Sequence, residues 1–148
     1  MQRRDSLKGA GAFAATAALG MMNMAFGETE TDEKRKRAES YLDSWNRKDP
    51  EGIGRYLHPR IHFKSPTSET TGKEVFLDAA KRIFPMLQGL QVRHWFVSGD
   101  RVAAFYDFNC IAPVGVSRTA ELMTFEDGLI KDVELFFDAR PFVPPAKQ

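Results

Sequence analysis

The stretch SRTAELMTFEDGLIKDVELFF, residues 117–137, alternates apolar and polar residues on both sides of Asp127-Gly128. A period of two indicates a β-strand that is buried on one face, and Asp-Gly is typical of a two-residue hairpin turn. The stretch therefore predicts two paired strands, residues 117–126 and 129–137. Similar alternation precedes it in residues 91–98 and 101–111, with turn residues at Gly99-Asp100 and at 113–115. Together these segments predict an antiparallel meander of four strands.

Helical signals dominate the residues before the meander. Apolar side chains recur at helical spacing after Thr29, which has capping-box spacing to Asp32, and Asp49-Pro50 is a strong helix start. A further helical stripe follows Gly72, and Pro85 bends or stops it. The predicted order is a helix over residues 31–48, a short helix over 50–57, a strand over 61–64 that a polar loop follows, a helix after 72, and then the four strands.

The first 27 residues have the layout of a bacterial export signal. Arg3-Arg4 precedes the uncharged stretch 9–26, and the small residues Ala25 and Gly27 have the spacing of an export-peptidase site. The paired arginines resemble a twin-arginine signal, which implies export of a folded domain to the periplasm or beyond, with only transient membrane contact. The alternative is a membrane anchor, because the stretch approaches the roughly 18 residues of a spanning helix. Its weak hydrophobicity favours cleavage after Gly27.

Residues 28–140 are predicted to form one domain, and the Pro-rich residues 141–148 a tail that leaves it. Removal of residues 1–27 changes the formal charge from +1 to about −1, so a nucleic acid partner is not indicated. The lone Cys110 allows no intramolecular disulfide. The sequence carries no evident metal site or cofactor motif. His58 and His62 are four residues apart, but Pro59 breaks the helix that would bring them together.

Four short motifs give the chain a family resemblance. They are YLDSWNRKD (residues 41–49), FKSP (63–66), TGKE (71–74) and TFEDGLI (124–130). With this element order, the chain resembles the nuclear transport factor 2-like superfamily, particularly SnoaL-like polyketide cyclases and ketosteroid isomerases. The resemblance implies an α+β fold, a cone-like α+β barrel in which a curved, mostly antiparallel sheet wraps around three N-terminal helices. Such a fold encloses a deep apolar pocket.

A pocket of this kind agrees with the alternation of the strands, whose inward faces carry aromatic and aliphatic side chains. Each of these side chains can equally be a core residue, because strands that face helices need such residues with or without a ligand. The residues predicted to line a pocket for an apolar small molecule are Trp45, Phe63, Ser65, Phe84, Tyr106, Phe108, Met123 and Phe137.

Glu121 is the most informative inward residue, since burial of a carboxylate is costly and raises its pKa toward the range useful for proton transfer. By resemblance it lies where a ketosteroid isomerase has an acidic oxyanion-hole donor, and near the acid/base carboxylate of SnoaL-like cyclases. Tyr41 matches the isomerase's oxyanion tyrosine. His94 is the third predicted catalytic residue, as a pocket acid or base beside Glu121. The alternatives are an outward Glu121, a core Tyr41, and a His94 on the sheet surface or a dimer face.

The same alignment puts Ser65 where the isomerase has its aspartate base, which argues against steroid isomerisation because serine alone is not basic. We therefore expect an exported pocket protein that uses Glu121 for acid/base chemistry on an apolar carbonyl compound, of aldol cyclisation or isomerisation type. The alternative is a non-catalytic ligand-binding or accessory protein of the periplasm. A homodimer would suit the outward side chains of Arg101, Ala103, Phe105 and Asp107 on one strand and Asp132, Glu134 and Phe136 on another.

Overall fold

The computed structural model describes the backbone of residues 14–145 and the side chains of residues 29–145. Helices lie mainly before the sheet in the chain, and the fold class is α+β. The elements in chain order are α1 (Ala14–Asn46), α2 (Pro50–Arg55), β1 (Leu57–Lys64), β2 (Glu69–Thr71), α3 (Lys73–Ile83), β3 (Leu87–Ser98), β4 (Arg101–Cys110), β5 (Val116–Glu126), β6 (Leu129–Phe136) and a 3-10 helix (Arg140–Phe142).

The strands form one curved sheet in the order β2-β1-β6-β5-β4-β3. β1 and β6 are parallel, whereas the other neighbouring pairs are antiparallel. β2 and β3 are the two edges, so the sheet is not closed. The predicted α+β fold, with a curved and mostly antiparallel sheet against helices, is confirmed, and the predicted meander corresponds to β3, β4, β5 and β6.

Helix α1 packs on the face of the sheet that we call the inner face. Its residues Ala38, Tyr41 and Leu42 are buried in the core. Asn46, the last residue of α1, donates from Nδ2 to the Leu90 carbonyl at 3.0 Å and accepts at Oδ1 from the Leu90 amide at 2.7 Å. Because both hydrogen bonds join the helix end to β3, they fix the position of Tyr41 over the sheet.

Two predictions from turn chemistry are confirmed. Asp49 caps α2, since its Oδ1 accepts a hydrogen bond from the Gly52 amide at 3.0 Å. Asp127 and Gly128 have φ angles of 52° and 76°. A tight hairpin of this kind needs positive φ at both central residues, which Asp tolerates and Gly adopts freely. The turn thereby sets the register of β5 against β6.

The predicted start of the first helix at Thr31 is wrong. Helix α1 begins at Ala14 and continues through Gly27 and Thr29, so Thr29 is not a helix cap. The added segment contains no proline, and its two glycines, Gly20 and Gly27, each cost only about 1 kcal/mol relative to alanine. Arg3 and Arg4 of the predicted export signal lie outside the described residues. Among the helices described in residues 14–145, none has both the length and the continuous apolar character of a membrane span.

The boundary between α2 and β1 also differs from the prediction. His58-Pro59, predicted to end a helix, lies inside strand β1, and α2 ends earlier, at Arg55. The pairing of β1 with β6 is irregular between Leu57 and His62. Proline is accepted at such an irregularity because it does not need to donate a ladder hydrogen bond there. The predicted polar loop after β1 contains the short edge strand β2, which pairs with β1.

The first residues of the predicted tail fold back onto the domain. Arg140–Phe142 form a 3-10 helix, and the rings of Phe137 and Phe142 meet edge to face with their centroids 5.1 Å apart. Asp138 pairs with the Arg140 side chain, whose Nε lies 2.9 Å from Oδ1. Phe142 is half-buried as a result. Phe142, which lies in the predicted tail, therefore packs on the last strand region of the domain.

Candidate functional site

A cavity of about 280 Å³ lies between the inner face of the sheet and helices α1 and α3. Its deep end holds Tyr41, Tyr106 and Glu121, which are 1%, 5% and 3% exposed. Its outer end is formed by the exposed Thr67 and Ser68. This volume is close to the lower end of the range for ligand pockets of proteins, which is about 300–1,000 Å³. The cavity therefore suits a small molecule.

Most of the predicted pocket residues line this cavity. Those that do are Tyr41, Trp45, Phe63, Ser65, Tyr106, Phe108, Glu121 and Phe137. Phe84 and Met123 do not. Phe84 instead packs edge to face on Trp45, with ring centroids 5.8 Å apart, and Met123 is fully buried in the core. Both therefore support the walls of the cavity without facing it.

His94 is not brought together with Glu121. The pairing of β3 with β4 shifts register between Val92 and His94, so that Val92 pairs with Tyr106 and His94 pairs with Phe105. Without this irregularity His94 would lie opposite Ala104, an inward residue. The extra residue turns His94 to the outer face of the sheet, where it is exposed. The structure thus separates His94 from the cavity.

Glu121 lies inward because β5 alternates regularly. Ser117, Thr119, Glu121, Met123 and Phe125 are all buried on the inner face. The Tyr106 hydroxyl donates a hydrogen bond to Oε2 of Glu121 at 2.8 Å. Oε1 is buried and has no hydrogen-bond partner within the described structure. One oxygen of the carboxyl is therefore held by protein, and the other is left for a ligand.

The pKa of Glu121 is raised from its ordinary value of 4.5 to about 7, because burial disfavours the charged form. The hydrogen bond from Tyr106 opposes this shift and lowers the pKa of Glu121. The Tyr41 hydroxyl completes no hydrogen bond to Oε1, but it lies close enough to lower the pKa of Glu121 by a smaller amount. Burial and then the charge of Glu121 raise the pKa of both tyrosines well above 10. Near neutral pH, Glu121 can therefore both take and give a proton while the phenols remain donors.

Ser65 lines the cavity but organises its own loop. Its Oγ accepts hydrogen bonds from the backbone amides of Thr67 at 3.2 Å and Ser68 at 3.1 Å. Among the cavity-lining residues that the structure describes, Glu121 is the single carboxyl, and no histidine accompanies it. Ser65 therefore has no neighbour in the cavity that would make it basic.

Several lining residues were not in the predicted set, among them Thr119, Phe76 and Phe142. Thr119 follows from the period-two alternation that places Glu121 inward. Phe76 packs edge to face on Phe63 at a centroid distance of 5.5 Å and lies on the helical stripe of α3. Phe142 had no signal in the sequence, because its position depends on how the chain turns after β6.

The polar groups of the cavity were compared with what a metal site needs. Throughout residues 29–145 there is no group of three or more His, Cys, Asp or Glu side chains that could hold a metal ion. The carboxyl of Glu121 and the phenols of Tyr41 and Tyr106 lie together at the deep end of the cavity.

Comparison with known proteins gives one family match and many similar structures. The family model described as the SnoaL-like domain matches residues 38–133. No curated protein sequence matches the chain. An NTF2-like protein of unknown function from Cytophaga hutchinsonii is 20% identical, with a TM-score of 0.66 over 74% of this chain and 93% of that one.

Two further structures carry functional names. A candidate ketosteroid isomerase from Kribbella flavida is 18% identical, with a TM-score of 0.66 over 80% of this chain and 93% of that one. An LEH-like epoxide hydrolase from M. tuberculosis is 16% identical, with a TM-score of 0.65 over 74% of this chain and 86% of that one. At these identities the similarity shows a shared fold.

Proposed function

The chain belongs to the SnoaL-like domain family, and from that premise we propose that it binds an apolar carbonyl compound and that Glu121 exchanges a proton with it. The observation that carries the proposal is the state of this carboxyl. Glu121 is 3% exposed, lines an apolar cavity, keeps Oε1 without a partner, and has a pKa of about 7. A buried polar atom left unpaired costs about 1–3 kcal/mol, which a ligand group that pairs with Oε1 would recover.

The proposed reaction uses the ionised and the neutral carboxyl in turn. Ionised Glu121 takes a proton from the carbon next to the ligand's carbonyl, and the electron pair of the broken C–H bond moves to the carbonyl oxygen as an enolate. The Tyr41 hydroxyl, at the deep end of the cavity, donates to that oxygen. Neutral Glu121 then returns the proton to a carbon of the enolate, which restores the carbonyl. In an aldol closure the enolate carbon instead forms a bond to a second carbonyl carbon, and the proton goes to the oxygen of that second carbonyl. This sequence suits one-carboxyl chemistry of aldol or isomerisation type and makes no use of Ser65.

A ligand-binding function without chemistry is the second candidate. The observation in its favour is that Glu121 has no second acid or base beside it among the described cavity residues. The two candidates respond oppositely to pH. Neutral Glu121 donates to a carbonyl, so simple binding weakens as the pH rises through about 7, whereas proton abstraction needs the ionised form and accelerates over the same range.

A thermal-shift screen of apolar ketones at pH 6 tests whether the cavity binds such compounds. We expect at least one small ketone to raise the melting temperature of the wild type, and Glu121→Leu to lose most of that rise because leucine has no donor where the neutral carboxyl has one. The matched control is Glu126→Leu, the same substitution at an exposed position of the same strand. Equal ligand shifts in all three proteins would place binding elsewhere, and no shift with any ketone would exclude this ligand class.

We also propose that the domain is exported and that residues 1–27 are removed. Among the side chains of α1 that the structure describes, which begin at Thr29, Ala38 is the first that is buried, and residues 29–33 are exposed. Cleavage after Gly27 would leave the buried side chains from Ala38 onward in place. The mass of the protein recovered from the periplasm should match a chain that begins at Glu28; recovery of the uncleaved chain from the cytoplasm alone would contradict export.

A homodimer through the outer face of the sheet is proposed as well. Phe96, Phe105 and Phe136 lie on this face and are 60%, 42% and 52% exposed. The rings of Phe96 and Phe105 contact each other edge to face at 5.8 Å. Sheet alignment puts Phe105 and Phe136 level with each other on either side of Ala120. Exposed aromatic side chains grouped in this way are typical of an interaction surface.

Sedimentation velocity measures this dimer directly. We expect the wild type to sediment as a dimer and Phe105→Lys to sediment as a monomer, because a charge at the centre of the patch would be buried without a partner. Val75→Lys, at a 45% exposed position on α3, is the control and should stay dimeric. A monomeric wild type would disprove the dimer.

A further inference from the structure

Tyr106 and Glu121 are diagonal neighbours on the inner face. The register of β4 and β5 pairs Ala104 with Glu121 and Tyr106 with Thr119. Tyr106 therefore stands two residues along from the position opposite Glu121, a separation that an aromatic side chain spans. Its hydroxyl donates to Oε2 at 2.8 Å, and both side chains are buried. The contact is thus built into the strand register and does not depend on a loop.

The geometry of this hydrogen bond decides which carboxyl oxygen can carry the proton. A phenol has one O–H, and within residues 29–145 Glu121 is the hydrogen-bond partner shown for the Tyr106 hydroxyl. A carboxyl proton on Oε2 would turn Tyr106 into an acceptor and leave the phenol's own proton unpaired in the core. That arrangement is unfavourable, because a buried donor without an acceptor loses its hydrogen bond to water and gains none in return. A proton on Oε1 keeps the Tyr106 hydrogen bond in both charge states of Glu121.

We propose that Tyr106 is a positioning residue that keeps Oε2 an acceptor and so reserves Oε1 for the proton that Glu121 exchanges with its ligand. The inference rests on the proposed function for its ligand, but the position of the proton is a property of the free protein. Oε1 is the oxygen without a partner, so the labile proton and the open hydrogen-bonding position coincide.

The two tyrosines at the deep end of the cavity then have different roles. In the protein without ligand, the Tyr106 hydroxyl donates to Oε2. The Tyr41 hydroxyl lines the same cavity and completes no hydrogen bond to Oε1, although it lies close enough to Glu121 to lower the pKa of the carboxyl. Substitution of each by phenylalanine removes one hydroxyl from the same cavity, which makes the two variants a matched pair.

Infrared spectroscopy of the free protein tests the assignment. Between pH 5.5 and 6, Glu121 stays protonated because its pKa is about 7, while ordinary carboxyl groups are ionised. The C=O band that Glu121→Gln removes therefore belongs to Glu121. We expect Tyr106→Phe to move that band to higher wavenumber, because its carbonyl oxygen Oε2 loses a donor, and to raise the midpoint at which the band disappears. Tyr41→Phe should move both readouts less.

A second variant avoids dependence on the folding of Tyr106→Phe. The chain has three tyrosines, so in the Tyr41→Phe, Tyr56→Phe background a fluorotyrosine label occupies position 106 alone. The more acidic phenol is a stronger donor, and the band should move to lower wavenumber. Two results would overturn the role of Tyr106. One is that the band keeps its reference position both in Tyr106→Phe, compared with the wild type, and in the labelled protein, compared with the unlabelled one. The other is that Tyr41→Phe moves the band more than Tyr106→Phe does.

This test separates the inference from the proposed function. The band and its titration are measured without ligand, so they can confirm Tyr106 even if no ketone binds. Conversely, ketone binding can depend on Glu121 while the position and titration midpoint of the band do not change in Tyr106→Phe. That result would disprove the positioning role and leave the proposed function standing. In a protein that does exchange ketone protons, Tyr106→Phe should also shift the midpoint of the pH–rate profile upward, which loss of packing alone would not do.

Discussion

Glu121→Gln is expected to abolish exchange of the α-protons of a bound ketone for deuterium. In D₂O the wild type should accelerate this exchange, because ionised Glu121 removes the proton and the carboxyl returns a deuteron from solvent. General acid/base catalysis by one side chain contributes about 10²–10⁴-fold, and a neutral amide supplies none of it. Proton NMR of the ketone that performs best in the thermal-shift screen measures the rate directly.

The pH dependence of this rate is part of the same prediction. Since the pKa of Glu121 is about 7, the wild-type rate should rise as the pH increases through 7 and level off above it. Glu126→Gln, exposed on the same strand, should behave as the wild type does. A ketone can bind the wild type and yet exchange its α-protons no faster with the wild type than with Glu121→Gln. That result would favour the function of ligand binding without chemistry.

The second large effect is expected on stability. Folded Glu121 has a pKa of about 7, whereas the unfolded chain has the ordinary 4.5. The folded state thus holds a proton that the unfolded state releases between these values, and the free energy of unfolding falls as the pH rises through that window. At pH 8 the loss amounts to about 3 kcal/mol, at 1.36 kcal/mol per pKa unit.

Urea unfolding of the wild type and Glu121→Gln from pH 4.5 to pH 8 measures this loss. Gln has no charge to bury, so the free energy of unfolding of the variant, relative to that of the wild type, should increase by about 3 kcal/mol between pH 4.5 and pH 8. Asp138, whose pKa is lowered to about 2, and Asp107, whose pKa is lowered by Arg93, act at lower pH and are common to both proteins. A stability difference that does not change with pH would show that Glu121 titrates normally.

The alternation of apolar and polar residues predicted much of the sheet and the inward position of the main site residue. Alternation on both sides of Asp127-Gly128 predicted the last hairpin, and the same alternation placed Glu121 inward between Thr119 and Met123. These are local properties, set by the side-chain period of a strand and by the positive φ angles of one turn. The helical spacing of Tyr41 and Trp45 likewise placed both residues over the sheet.

His94 and Phe142 show where such reasoning ends. An irregularity in strand pairing after Val92 puts His94 on the outer face of the sheet instead of the inner face. The residue types of Arg93-His94-Trp95 do not predict this irregularity. Phe142 reaches the cavity because the chain turns back after β6 and packs on Phe137. Both outcomes depend on contacts between distant segments, as does the acceptance of Pro59 inside β1.

The separation of His94 from the cavity sharpens the chemical proposal. A histidine beside Glu121 would have supplied a second acid or base. In the observed arrangement the carboxyl lies beside phenols whose pKa values lie well above 10, so the proposal assigns proton transfer to carbon to Glu121 alone. Among the described residues that line the cavity, Glu121 is the group with a pKa raised into the neutral range.

The central claim is that Glu121 is a buried acid that titrates near neutral pH, and a carbon-13 NMR titration tests it most directly. The δ-carbon resonance of Glu121, assigned by its absence in Glu121→Gln, is followed from pH 4 to pH 9 in the protein without ligand. The structure predicts a midpoint of about 7. A midpoint near the ordinary 4.5 would contradict both the buried state of the carboxyl and its proposed role.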